Sequence, residues 1–297
     1  MLFGFSGRYI ICDGAMGTML QTRGLRQGER SDIMNMTSPE SVEDIHRMYV
    51  EAGSNIIYTN TFGANSDALR DTGYTASEII ASAVNSAKKA VGAETLIALD
   101  LGPAGSLLEP MGSLKPDRAY MLFREQATLG EDAGVDLAAI ETMSDINELK
   151  SAVLAIKENT DLPIIATMSF DNTGHTYIGC TPEELVTVAE EYGISAIGLN
   201  CSLAPSQMHE TVLRFAKATK LPLVLKPNAG LPEGTQGKYS IDPGEFAIQM
   251  KQLVDLVHEV DTLSPVSNGI NSVRPLIIGG CCGTSPSYIS EIRRVFQ

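Results

Sequence analysis

The 297-residue chain contains no tryptophan, only 6% aromatic residues, and far fewer cations than anions. With 22 Lys and Arg against 36 Asp and Glu the net charge is −14, and so negative a surface repels phosphate backbones and anionic lipid, which argues against nucleic-acid and membrane-surface roles. No apolar run reaches the length of about 18 residues that a spanning helix needs. Met1–Tyr9 lacks the basic start and continuous apolar stretch of a secretion signal, so a cytoplasmic protein is expected. Histidine is scarce as well: His46, His175, His209 and His258 make no HExxH or His-pair pattern and read as surface residues, mostly within helical stretches. Cysteine is limited to Cys12, Cys180, Cys201, Cys281 and Cys282. An odd, small number disfavours a disulfide framework and favours buried thiols, metal ligands or nucleophiles.

What is present is an ordinary globular composition, 43% hydrophobic and 20% charged with 27 Gly and 14 Pro. Short apolar, β-branched runs alternate with longer amphipathic ones from end to end, without a composition break. The strands predicted are Tyr9–Cys12, Asn55–Asn60, Leu96–Asp100, Leu137–Glu141, Pro163–Ser169, Ala196–Asn200, Leu223–Lys226 and Leu276–Ile278. Helix starts are marked by Ser38-Pro39-Glu40, Thr181-Pro182-Glu183-Glu184, Asp242-Pro243 and Ser285-Pro286, each placing proline at the first helical position. Helix stops are expected at Gly53, Gly92, Gly134 and Gly193. Eight βα units in this length fit a closed (β/α)8 TIM barrel, a single α/β domain over residues 1–297, better than an open doubly wound sheet. Asp261–Arg274 interrupts the rhythm and reads as a loop excursion.

In such a barrel all strand C-termini open on one face, where groups from distant strands converge. Three of the five cysteines fall at two of these ends: Cys201 after the sixth strand, and Cys281 with Cys282 after the eighth. Adjacent residues of an extended strand point to opposite faces, so this pair can share an ion only where the chain leaves strand geometry; Gly279, Gly280 and Gly283 supply that freedom. Soft thiolates select Zn²⁺ over Mg²⁺ or Ca²⁺, and three of them leave a fourth position open. Cys12 and Cys180 have no partner in view and read as core residues.

The segments Asp13-Gly14-Ala15-Met16-Gly17-Thr18, Asn60-Thr61-Phe62-Gly63-Ala64, Asn200-Cys201, Lys226-Pro227-Asn228-Ala229-Gly230 and Gly279-Gly280-Cys281-Cys282-Gly283-Thr284 resemble the homocysteine S-methyltransferase family over nearly the whole chain. The likeness is greatest to the homocysteine-binding module of cobalamin-dependent methionine synthase. It implies one Zn²⁺ per chain on Cys201, Cys281 and Cys282, with Asn228 as a fourth ligand when substrate is absent. Gly63 stands where the betaine-dependent branch has a ligating tyrosine, which disfavours betaine as donor. The resemblance further implies that Asp13 and Glu141 take the amino group of homocysteine and that the Gly14-Ala15 backbone helps hold its carboxylate; Thr142 and Asn200 are assigned to the same substrate pocket.

A free thiol is mostly protonated at neutral pH and the thiolate is the nucleophile, so zinc is expected to activate the homocysteine sulfur for methylation to methionine. The chain has no cobalamin-binding Asp-x-His-x-x-Gly pattern. The methyl donor is therefore expected from outside: methylcobalamin on a separate corrinoid protein, with a sulfonium such as S-methylmethionine as the rival. A zinc barrel without turnover of its own, acting as a subunit of a corrinoid methyl-transfer complex, is the alternative to an enzyme. The oligomeric state is not legible.

Overall fold

The computed structural model describes residues 2–233, 238–263 and 273–297. Eight parallel strands are β1 (Tyr9–Ile11), β2 (Ile56–Tyr58), β3 (Leu96–Leu101), β4 (Leu137–Met143), β5 (Ile164–Met168), β6 (Ala196–Asn200), β7 (Leu223–Lys226) and β8 (Leu276–Ile278). They run side by side in the order β1-β8-β7-β6-β5-β4-β3-β2. Cys12 bridges Ile56 in parallel register, the Asp13 amide donates to the Ile56 carbonyl at 3.0 Å, and the Asn55 amide donates to the Ile11 carbonyl at 2.6 Å. Those contacts join β1 to β2 and close the ring, giving the expected (β/α)8 TIM barrel.

The outer helices are α1 (Pro39–Ala52), α2 (Ala76–Ala90), α3 (Pro116–Ala133), α4 (Ile146–Asn159), α5 (Pro182–Tyr192), α6 (His209–Ala218), α7 (Pro243–Leu263) and α8 (Pro286–Phe296). Proline opens α1, α5, α7 and α8 as the sequence predicts, since the first turn has no partner for the missing N–H. Thr181 and Glu184 cap α5 reciprocally, as do Thr75 and Glu78 on α2. Gly53, Gly134 and Gly193 end their helices in the left-handed region. Gly92 does not: α2 ends at Ala90, with extended Val91 as its cap, so no left-handed residue is needed there.

Alternation along the strands divides the core into two layers. Ile10, Cys12, Tyr58, Ala139, Val224 and Ile277 belong to the filling of the barrel, against which Leu2, Phe3 and Phe5 also pack. Ile11, Ile57, Leu99, Ile140, Leu225 and Ile278 face the helices.

The expected loop at Asp261–Arg274 begins later than the sequence suggests, because α7 continues through Asp261 to Leu263; positions 264–272 lie outside the described residues. Asp261 and Arg274 are both buried and paired, with Arg274 Nε at 3.0 Å and Nη2 at 2.5 Å from the carboxylate. The Arg274 guanidinium also donates to the Ala216 carbonyl at 2.8 Å, tying the end of α7 and the approach to β8 onto α6.

Candidate active site

The C-terminal ends of the strands surround a cavity of about 250 Å³. Sulfur from Cys201, Cys281 and Cys282 lies on one side of it, and the three Sγ atoms fall within 4.8 Å of one another. Two departures from strand geometry bring them there. Leaving β6, Cys201 and Ser202 take left-handed φ of 61° and 58°, a conformation that ordinary side chains rarely adopt. The Cys201 amide then donates to the Lys226 carbonyl at 3.1 Å. After β8 the chain turns at Gly283, φ 82°. The Cys281 amide donates to the Pro227 carbonyl at 2.7 Å, and the Cys282 carbonyl accepts from the Ala229 amide at 3.0 Å. Both cysteine-bearing loops are thus fastened to the segment after β7.

Cys201 and Cys282 sulfurs are 3.8 Å apart. A tetrahedral ion with metal–sulfur bonds of about 2.3 Å has sulfur–sulfur edges of about 3.8 Å, so this set of soft donors fits Zn²⁺. Without a metal charge, hydrogen bonding from Cys281 and Cys282 pulls the Cys201 thiol well below its ordinary value, and the hydrogen bonds they give to Cys201 in turn hold those two thiols up. The Asn228 side chain also supports the Cys201 thiolate, while its buried Oδ1 has no hydrogen-bond partner among the described residues. That oxygen is a donor to spare beside the sulfurs.

A second part of the wall is ionic. Asp13 is buried, its Oδ2 accepting from the Tyr58 amide at 2.7 Å and its Oδ1 left without a hydrogen bond. Glu141 stands at a bulge of β4, where the pairing with β5 shifts between Ile140 and Met143 and Thr142 has φ 62°. A bulge re-aims side chains beside a site, and here Glu141 is turned to the cavity. Between the two carboxylates lies Lys226, Nζ 3.3 Å from Glu141 Oε2 and 3.7 Å from Asp13 Oδ1, and 3.3 Å from the centre of the Tyr58 ring. Burial opposes its charge, yet Glu141, Tyr58 and Asp13 outweigh that and hold the amine well above its ordinary value. Burial pushes the Asp13 carboxyl up to about 6 against the pull of Lys226. A third carboxyl, Asp100 at the end of β3, is pushed well above the usual carboxylate range by burial and by Glu141.

Of the residues assigned from sequence, Asp13, Gly14, Ala15, Glu141, Thr142, Cys201, Cys281 and Cys282 line the cavity together. Asn200 does not reach it. Fully buried behind the wall, its Oδ1 accepts from the Thr142 amide and from Thr167 Oγ1, both at 2.8 Å, and its Nδ2 donates to Thr142 Oγ1 at 2.8 Å. The Ala15 amide is engaged as well, donating to Thr284 Oγ1 at 3.2 Å. Lys226, Asp100, Tyr58 and Phe62, which have no role assigned from the sequence, also line the cavity. Tyr239 has none either, and burial and the Cys282 charge push its phenol up to about 12. A lysine closing the otherwise apolar run Leu223–Leu225 is the one signal that could have drawn attention to the ionic side. The histidines need a correction: His46 is fully buried in α1, not at the surface.

A parallel barrel whose mouth carries three clustered thiols and a pair of carboxylates in one cavity defines the class, a metal-competent α/β-barrel with a pocket of amino-acid size. The sequence profile of the family described as homocysteine S-methyltransferase matches residues 10–296, and the chain belongs to that family. It is 31% identical over 312 aligned residues to a methionine synthase of Mycobacterium tuberculosis, and 30% identical over 307 to that of Mycobacterium leprae. Those alignments cover 97% and 96% of this chain but 24% of each relative, so the chain spans about a quarter of their length. Among solved structures it is similar to the homocysteine methyltransferase MmuM from Escherichia coli. The oxidized form has a TM-score of 0.78, 23% identity and coverage of 97% of this chain and 96% of that one; the metallated form has a TM-score of 0.76 and 21% identity. At such identity the likeness establishes the fold.

Proposed function

We propose that residues 1–297 act as one homocysteine-binding unit that methylates the acceptor thiol to give methionine, with a methyl-corrinoid protein as donor. The observation that carries this reading is the placement of three clustered thiols and a set of carboxylates on the wall of one cavity. Cys201, Cys281 and Cys282 would hold a Zn²⁺ ion, with Asn228 as a fourth ligand when substrate is absent. When bound, zinc supplies Lewis acidity that favours the thiolate form of the acceptor and fixes its sulfur.

The chain's own residues do the rest. Asp13 and Glu141 offer negative charge to the acceptor ammonium, and Gly14 and Ala15 form the wall nearest its carboxylate. Thr142, held by Asn200 in its left-handed conformation, keeps the Glu141 bulge in shape. The cavity orients the sulfur outward, towards the barrel mouth and a donor bound there. In the transfer a sulfur lone pair forms the new carbon–sulfur bond, the donor retains the electron pair of the bond that breaks, and the thiol proton goes to solvent.

The purified protein loaded with zinc should demethylate free methylcobalamin only when homocysteine is present, with methionine appearing in equal amount. No turnover with methylcobalamin, but turnover with S-methylmethionine, would replace the donor. No turnover with either, at full metal loading, would leave a binding subunit instead of an enzyme.

A further inference from the structure

Beyond the acceptor reading, and resting on it, the ionic side of the cavity carries its own cation. Lys226 is 3% exposed, and its ammonium lies between Glu141 and Asp13 at 3.3 and 3.7 Å, with the Tyr58 ring closing a further side. These are the two carboxylates to which the acceptor's own ammonium is assigned. Its backbone is committed elsewhere, because the Lys226 carbonyl accepts from the Cys201 amide. One residue therefore meets both clusters, its carbonyl holding the Cys201 amide and its ammonium lying beside the two carboxylates.

We infer that Lys226 is a specificity-determining residue, an internal ammonium that partners Asp13 and Glu141 whether or not the acceptor has an amino group, so the pocket accepts ω-thiol carboxylates as a class. The physical reason is the asymmetry of buried polar groups. A site that relies on the ligand to satisfy its buried charges rejects an analogue lacking the matching group, because the protein partners are then stranded; a site that satisfies them internally does not. In this cavity an internal ammonium already stands 3.3 Å from Glu141 and 3.7 Å from Asp13, and homocysteine must add its own beside Lys226, where like charge offsets part of the attraction.

The test compares homocysteine with 4-mercaptobutyrate, the same thiol acid without its amino group, by calorimetric titration of the zinc-loaded protein. The wild type should favour homocysteine by less than about 10³-fold, against the roughly 10⁴ to 10⁵-fold that sites with stranded partners impose. In Lys226→Met the preference should rise at least about tenfold further, mainly through loss of 4-mercaptobutyrate binding. Lys226→Arg, which keeps a cation, should stay near the wild-type ratio. A merely structural role would weaken both ligands together and leave the ratio unmoved, which would overturn the inference, as would a wild-type preference above about 10⁴-fold. Should Lys226→Met fail to fold, the wild-type ratio alone decides. If the wild type binds neither thiol, the acceptor reading itself falls and takes this inference with it, a result distinct from normal homocysteine binding with an unchanged ratio.

Discussion

The two sides of the cavity solve the problem of buried polar groups in opposite ways. On the thiol side, three sulfurs converge with the Asn228 side chain supporting Cys201, and among the described residues no cation of the protein's own stands with them. On the ionic side, Asp13 and Glu141 converge on Lys226, which the chain supplies itself. A cluster that lacks its counter-charge is completed by what binds; one that contains it is held in shape before anything binds. The first is therefore where an external ion should matter most, and the second is where substitutions should be felt as ligand selectivity and affinity.

The largest effect is expected on the thiol side. Cys201→Ala removes one of three soft donors from a site with few substitutes, and we expect loss of stoichiometric zinc together with loss of methyl transfer. Metal analysis of the purified variant checks this; full zinc content would contradict the ligand assignment and erase the contrast between the two sides.

A smaller effect is expected on the ionic side. Glu141→Gln keeps shape but removes a charge that both Lys226 and the acceptor ammonium would use. Homocysteine affinity should fall about 100-fold, equivalent to roughly 3 kcal/mol, the range measured when one member of a buried charge pair is truncated. Zinc content should be unchanged, and a variant that loses metal as well would show that the two sides are not separable.

The barrel was legible because its signals are local. Ser38-Pro39, Thr181-Pro182 and Ser285-Pro286 each fix a helix start with residues adjacent in the chain, and the strands between are short apolar runs. The thiol cluster was legible because strand ends of a parallel barrel share one face, so position in the βα rhythm sufficed to bring Cys201 to Cys281 and Cys282. The ionic side was less so. The Glu141–Thr142 bulge exists only in the register of β4 against β5, and Lys226 finds Glu141 85 residues away; neither pairing leaves a trace in the local pattern. The burial of His46 did leave one. Val42, Ile45, His46, Tyr49 and Ala52 are the buried face of α1, a helical period that places His46 inside in spite of its polarity.

His46 also supplies the smallest and most easily isolated prediction, because it represents a third condition, a buried titratable group that neither the protein nor a ligand completes. Both of its ring nitrogens lack partners among the described residues, and burial alone lowers its ring to about 4 from the ordinary 6.5. A base whose folded value is depressed contributes fully above its unfolded value and loses that contribution as pH falls toward the folded one. Between pH 8 and pH 5 the unfolded chain gains a proton at His46 that the folded chain refuses, which destabilises the fold by about 2 kcal/mol. His46→Leu removes this site from both states while leaving every other titrating group in place. The stability difference between variant and wild type, measured by denaturant unfolding, should therefore shift in the variant's favour by about 2 kcal/mol on going from pH 8 to pH 5. A difference that is the same at both pH values would mean that His46 is protonated in the fold, and that a charge partner lies within its reach after all.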